Sequence, residues 1–191
     1  MKQMKNNVLL VLTALIWGCA FVAQSVGMDY VGPFTFNAVR CLIGAAVLIP
    51  VILFMDKSAR KSGLTDEEMK SRRGDTKTLV TGGICCGLAL GIASSLQQWG
   101  ILFTTVGKAG FITAMYIVLV PVLGIFVHRK PGINAVVSVL LALVGLYLLS
   151  FTDMGSINIG DILLTGCALA FAVQILLIDR FAPDLDGLRL N

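Results

Sequence analysis

Apolar residues run along this chain in long unbroken stretches, and polar residues gather in short clusters between them. The stretches are Asn6–Met28, Phe34–Met55 (interrupted only by Arg40), Thr78–Gly107, Ala109–Val127, Pro131–Thr152 and Ile162–Ile178. None alternates with a period of two, which excludes spanning β-strands of about 9–11 residues. A helix needs about 20 residues to cross a hydrocarbon core of about 30 Å. The third stretch is long enough to include its own connecting loop, and the sixth reaches spanning length with its polar flanks. The pattern predicts an all-α, polytopic integral membrane protein with six transmembrane helices.

Composition agrees. Apolar residues make up 57% of the 191, charged residues 14%, and the mean hydropathy is +0.87. Soluble domains have about 45–50% apolar and about 25% charged residues, so a soluble domain and a disordered chain are both excluded. The charges are also segregated: 12 of the 26 fall in the segment Asp56–Lys77. Within it, Thr65 and Glu68 have the spacing of a capping box and predict a short solvated helix.

Lys and Arg set the orientation, because they concentrate on the cytoplasmic side. With the N-terminus inside, 13 of the 15 basic residues are cytoplasmic, Lys108 is outside and Arg40 lies within the second span. Lys2 and Lys5 ahead of Val8–Ala23 have the look of a signal peptide. However, Phe21 and Ala23 make a poor cleavage site and the run is long enough to span, so a retained first helix is expected. The net charge of +4 follows this topological logic and does not indicate a nucleic-acid partner. Cys19, Cys41, Cys85, Cys86 and Cys167 all lie in apolar runs without a C-x-x-C pair, and His128 stands alone. No metal or cofactor is expected.

Five spans precede Phe151, and five is odd, so a second copy of the unit would enter the membrane from the opposite side. That is an inverted-topology repeat. A shift of 154 residues lays Ala14–Gly18 on Ala168–Ala172 and Asn37 on Asn191. The expected units are residues 1–151, with the cytoplasmic loop 55–77, and residues 157–191, the truncated start of the second. A seventh helix is expected where Asn191 stands, so the chain reads as the N-terminal portion of a longer protein.

Several motifs carry a resemblance. They are Ala14-Leu15-Ile16-Trp17-Gly18 with Phe21, Gly32-Pro33-Phe34 followed by Arg40 and Gly44, and Leu96-Gln97-Gln98-Trp99-Gly100. Thr104-Thr105, Lys108 to Thr113 and Pro121 follow. In order and spacing they resemble EamA-type drug/metabolite transporters over essentially the whole chain. The resemblance implies ten helices in two inverted halves around a central cavity. It also implies transport of small metabolites, often outward, across the bacterial inner membrane.

Carriers bind solutes near the midplane through intramembrane polar groups, and this sequence has few. The candidate solute contacts are Trp17 and Gln24 on the first helix, Gln97 and Gln98 on the third, and Thr113 and Tyr116 on the fourth. Gly83, Gly87 and Gly91 form a small-residue ladder suited to close helix approach, expected against the fourth helix. Pro121 should free the carbonyl of Ile117. Arg40, roughly 10 Å into its span at 1.5 Å per residue, is a structural, gating or anion-contacting residue. No Asp or Glu lies mid-span, which disfavours a proton-coupled cation exchanger of the small multidrug-resistance type. A membrane enzyme would need a Ser/His pair, an acidic cluster or metal ligands, and none stands out beyond Asp179, Asp184 and Asp186. The expected function is thus a transporter of small organic solutes embedded in the lipid bilayer, and not an enzyme. The alternative is a half-transporter or a non-transporting partner protein, completed by another copy or by a C-terminal half.

Overall fold

The computed structural model describes residues 2–61, 63, 65, 74–126, 132, 133, 136, 137, 139–141, 143, 144 and 158–185. Helices α1 (Lys2–Gly27), α2 (Pro33–Lys61), α3 (Thr76–Ile101), α4 (Val106–Ala114), α5 (Tyr116–Phe126) and α6 (Ile159–Phe181) follow in order. A 3₁₀ turn, Ala182–Asp184, follows α6. No strand occurs among the described residues. Five stretches are long and apolar enough to cross a membrane: α1 from Asn6, α2, α3, α4–α5 taken together to Ile125, and α6. The expected span Pro131–Thr152 falls mostly outside the described residues, although Ile133, Val136 and Leu140 are helical. The short helix expected after Thr65 and the junction between the two expected units, residues 151–157, lie outside them as well.

Local signals set the helix ends. Gly27 lets the ring of Phe36 rest on the backbone, where any Cβ would collide. The chain reverses there through the bond from the Val31 N–H to the Gly27 carbonyl (3.2 Å), and Pro33 opens α2. Proline suits a first helical position because that N–H has no intrahelical partner. Arg60 and Lys61 close α2, where cations complement the helix dipole. Asp75 caps α3 by accepting from the Thr78 N–H at 3.1 Å. Asn158 caps α6 in a reciprocal capping box with Asp161. These caps lengthen α6 from the apolar run Ile162–Ile178 to Ile159–Phe181.

Packing centres on α3 and α6, which run antiparallel along their length. At one end Ile101, Ala109 and Leu164 form a buried cluster; in the middle Ala93, Cys167 and Phe171 do; at the other end Cys86 meets Leu185. The closest approach is Gly100 against Gly160. A Cβ at Gly100 would lie 2.8 Å from Leu164 Cγ and 3.2 Å from the Gly160 carbonyl oxygen. At Gly160 it would lie 2.8 Å from the Gly100 oxygen. Without hydrophobic pressure between helices in lipid, such small-residue contacts are what hold them together. By contrast, α1 and α2 are exposed along almost their entire apolar surface.

Candidate functional site

Among the described residues, seven of the eight buried polar side chains gather at one end of the bundle: Gln24, Asn37, Ser94, Gln97, Gln98, Thr113 and Asp161. Each lies within seven residues of the helix ends that meet there, roughly 10 Å at 1.5 Å per residue. The shared end follows from connectivity. The α1–α2 and α3–α4 turns lie on one side, and the Gly100–Gly160 contact brings the start of α6 to it. Gln174, 15 residues into α6, is the exception.

Two polar groups meet on the Ser94-Ser95-Leu96-Gln97-Gln98 stretch of α3. In the first, Arg40 donates from Nη1 to Gln24 Oε1 at 3.0 Å and from Nη2 to Asn37 Oδ1 at 2.9 Å. Asn37 Nδ2 in turn donates to Ser94 Oγ at 3.1 Å and to Ser95 Oγ at 3.4 Å. Ser94 donates to the Leu90 carbonyl at 2.7 Å. Helices α1, α2 and α3 are thereby tied through one guanidinium, which pairs with no carboxylate among the described residues. An open hollow of about 340 Å³ adjoins it, lined by Val31, Thr35, Phe36, Val39, Arg40 and Ile43.

In the second group, Gln97 Nε2 donates to Thr113 Oγ1 on α4 at 3.4 Å. Gln98 beside it is fully buried, and neither its amide nitrogen nor its oxygen has a partner among the described residues. Leaving a buried polar group unsatisfied costs about 1–3 kcal/mol. The chain between Thr113 and Tyr116 is not continuous helix. Met115 N–H bonds the Ile112 carbonyl at 3.1 Å, three residues back, and α5 starts afresh at Tyr116. The tight turn offsets Tyr116 from Thr113 and seats its ring 6.0 Å from that of Phe171.

Above both groups, Lys108 Nζ pairs with Asp161 Oδ2 at 2.7 Å. The pair joins the first turn of α4 to the first turn of α6, and the same carboxylate oxygen accepts the Asn158 N–H at 3.0 Å. It places Lys108 and the start of α6 on the same side, the side that the charge pattern assigns to the exterior.

The structure thus brings Gln97, Gln98 and Thr113 together and places Tyr116 about one turn deeper. Gln24 belongs to the Arg40 group instead. Trp17 stands apart, 53% exposed on α1. Pro121 lies within α5, while the break in the helix falls earlier, at Met115. Among the described residues, a Cβ at Gly83, Gly87 or Gly91 would meet nothing within 4 Å, and the tight glycine contact is at Gly100 instead. Sequence reasoning missed Asn37, Ser94 and the Lys108–Asp161 pair as functional groups. Asn37 was findable, since it lies three residues before Arg40 and so shares its helix face. No group of three or more His, Cys, Asp or Glu able to hold a metal occurs among the described residues.

Apolar spans around a buried polar layer define a multi-pass helical membrane protein. Residues 4–151 match the EamA-like transporter family, and the chain belongs to that family, one of transporters rather than enzymes. It is similar to an "Uncharacterized transporter" of Archaeoglobus fulgidus, 32% identical over 182 residues, covering 95% of this chain and 51% of the relative. It is also similar to the "Uncharacterized transporter YoaV" of Bacillus subtilis, 25% identical over 188 residues, covering 95% of this chain and 60% of that protein. The chain therefore spans only about half to three-fifths of the length of the curated relatives it matches. No solved structure matches it.

Proposed function

We propose that this chain is the carrier-forming N-terminal portion of a protein that moves small organic solutes, outward, across the cytoplasmic membrane by alternating access. In this reading residues 1–151 form the first unit, and residues 157–191 open a second, inverted unit. The N-terminus and the 55–77 loop face the cytoplasm. The observation that carries it is Gln98: a fully buried amide with no partner among the described residues, beside Gln97 and Thr113. An amide offers two donors and an acceptor. A carrier needs such neutral groups, which grip reversibly once helices part. Tyr116 lies next along the path, and Trp17, exposed on α1, is a contact that a second half would have to complete.

The test is export of a metabolite panel from cells expressing the complete gene. Once a solute is identified, Gln98→Ala is expected to cut its export at least several-fold with expression held, and unchanged export would sink the proposed cavity. A reporter fused within the 55–77 loop should be active only in the cytoplasm. A second reading is a half-transporter that works with a second copy or another chain. The exposed apolar faces of α1 and α2 leave room for such a partner. Co-purification of two differently tagged copies would support that reading, and its absence would remove the homo-oligomer.

A further inference from the structure

The guanidinium of Arg40 is an unusual object at membrane depth. A charged side chain inside a span costs about 2.5–3.5 kcal/mol on insertion scales, so it persists where something compensates it. Here the compensation is incomplete. Gln24 and Asn37 are neutral acceptors, and each takes one hydrogen bond from Arg40. A guanidinium has five N–H donors in a fixed fork, so donors remain beyond those two bonds. No carboxylate among the described residues balances the charge.

Two features make this more than a packed arginine. First, the partners that hold it are themselves locked. Gln24 and Asn37 are buried, Asn37 is fixed on Ser94 and Ser95, and Gln24 Nε2 donates to the Ala20 carbonyl at 3.1 Å. The fork is thus held in one orientation, which is what bidentate recognition of a planar acid group requires. Second, Arg40 borders the hollow of about 340 Å³, whose other lining residues are Val31, Thr35, Phe36, Val39 and Ile43. Four of these are apolar and one is a hydroxyl. The hollow is therefore almost wholly apolar at its surface, with Arg40 as its one charged lining residue, and lies at the lower end of the size range of small-molecule sites.

We propose that this hollow binds an organic acid, its carboxylate on Arg40 and its apolar portion against Phe36, Val39 and Ile43. The proposal rests on the reading of the chain as part of a carrier and narrows its solutes to monoanions with an apolar body. The headgroup of an anionic lipid presents the same chemistry, but the acid is the occupant assigned here. The hollow's volume suits a small compact body, and a lipid would leave its chains outside it.

The experiment measures binding of radiolabelled benzoate to the 191-residue chain in zwitterionic phosphatidylcholine nanodiscs, without any transport step. Benzamide serves as the uncharged isostere. Benzoate is expected to bind at least about ten-fold more tightly than benzamide, the factor that 1.4 kcal/mol represents. Arg40→Gln is expected to abolish that preference. Ile43→Trp, which fills the hollow and leaves the Gln24–Arg40–Asn37 bonds intact, is expected to remove benzoate binding while the melting temperature holds. Equal binding of benzoate and benzamide would overturn the proposal, as would benzoate binding indifferent to both substitutions. Displacement of benzoate by added phosphatidylglycerol would overturn the assignment of an organic acid and give the site to a lipid headgroup. Loss of the anion site with export of neutral solutes intact would leave the carrier reading standing, so the two fail separately.

Discussion

The α3–α6 pair and the α1–α2 hairpin are built from equally apolar helices, yet they live in different surroundings. Along α3 and α6 the buried positions are mostly small: Gly82, Cys86, Ala93 and Gly100 on one, Gly160, Cys167, Ala168 and Ala172 on the other. Along α1 and α2 the apolar positions are large and exposed, among them Leu10, Ile16, Trp17, Leu42 and Phe54. The hairpin is joined at its turn by Gly27 and Phe36 and deeper by Arg40. In lipid an exposed leucine costs nothing, so hydropathy decides which segments span but not which ones touch. Backbone approach decides that, and it requires small side chains.

The sharpest way to break this comparison is to enlarge the seam. Gly100→Leu would drive a side chain into Leu164 and toward the backbone at Gly160. Overpacking of a fitted core usually costs about 1–3 kcal/mol, and here the obstacle includes backbone, so the upper end or beyond is expected. Thermal unfolding of the purified chain in detergent would measure it. Gly87→Leu is the control: its added side chain meets no described residue, and a change within about 0.5 kcal/mol is expected. Equal losses at the two glycines would show that the Gly83-Gly87-Gly91 face also packs within this chain. A loss at Gly87 seen only in a longer protein would assign that face to the remainder.

Next in size is the ion pair above the seam. Lys108 and Asp161 keep 22% and 11% of their side-chain exposure. They fall between surface pairs, worth about 0–1 kcal/mol, and buried ones, whose disruption costs about 3–5. Asp161 also closes the capping box of α6. Asp161→Asn is therefore expected to cost about 1–2 kcal/mol by the same reasoning, and Lys108→Met somewhat less, because it leaves the cap in place. A double-mutant cycle isolates the pair. A coupling near zero would leave the start of α6 held by the Gly100–Gly160 contact, the Ile101–Ala109–Leu164 cluster and its cap.

How far the sequence carried the structure differs between the two regions in the same way. The spans were legible because charge and hydropathy are local properties. α1, α2, α3 and α6 appear where the apolar runs lie, extended by caps at Asp75 and Asn158. Gln97, Gln98 and Thr113 were legible as candidates, since polar groups are scarce inside spans, and the fold brings them together. Partnership was not legible. Nothing local to Gly83, Gly87 and Gly91 distinguishes them from Gly100 as a contact, because the difference lies in what the opposing helix presents. Gln24 looked like a cavity group until Arg40 claimed its oxygen. The break at Met115 was hidden because Pro121 drew the expectation of a kink one and a half turns too far along.

The smallest effect is expected at Trp17, and it probes the open side of the comparison. Its ring is 53% exposed and lies on a helix with almost no buried surface. Truncating a lipid-facing side chain leaves no cavity in this chain and unpairs no polar group. Trp17→Ala is therefore expected to shift the stability of the chain by no more than about 0.5 kcal/mol. Thermal unfolding beside Gly100→Leu gives the contrast directly. The same substitution in the complete protein is the informative half of the experiment. If a second half covers this face of α1, Trp17→Ala should lower export of the identified solute while the short chain stays unaffected. If export and stability are both unchanged in the complete protein, Trp17 faces lipid there too, and the solute path runs along α3 and α4 without α1.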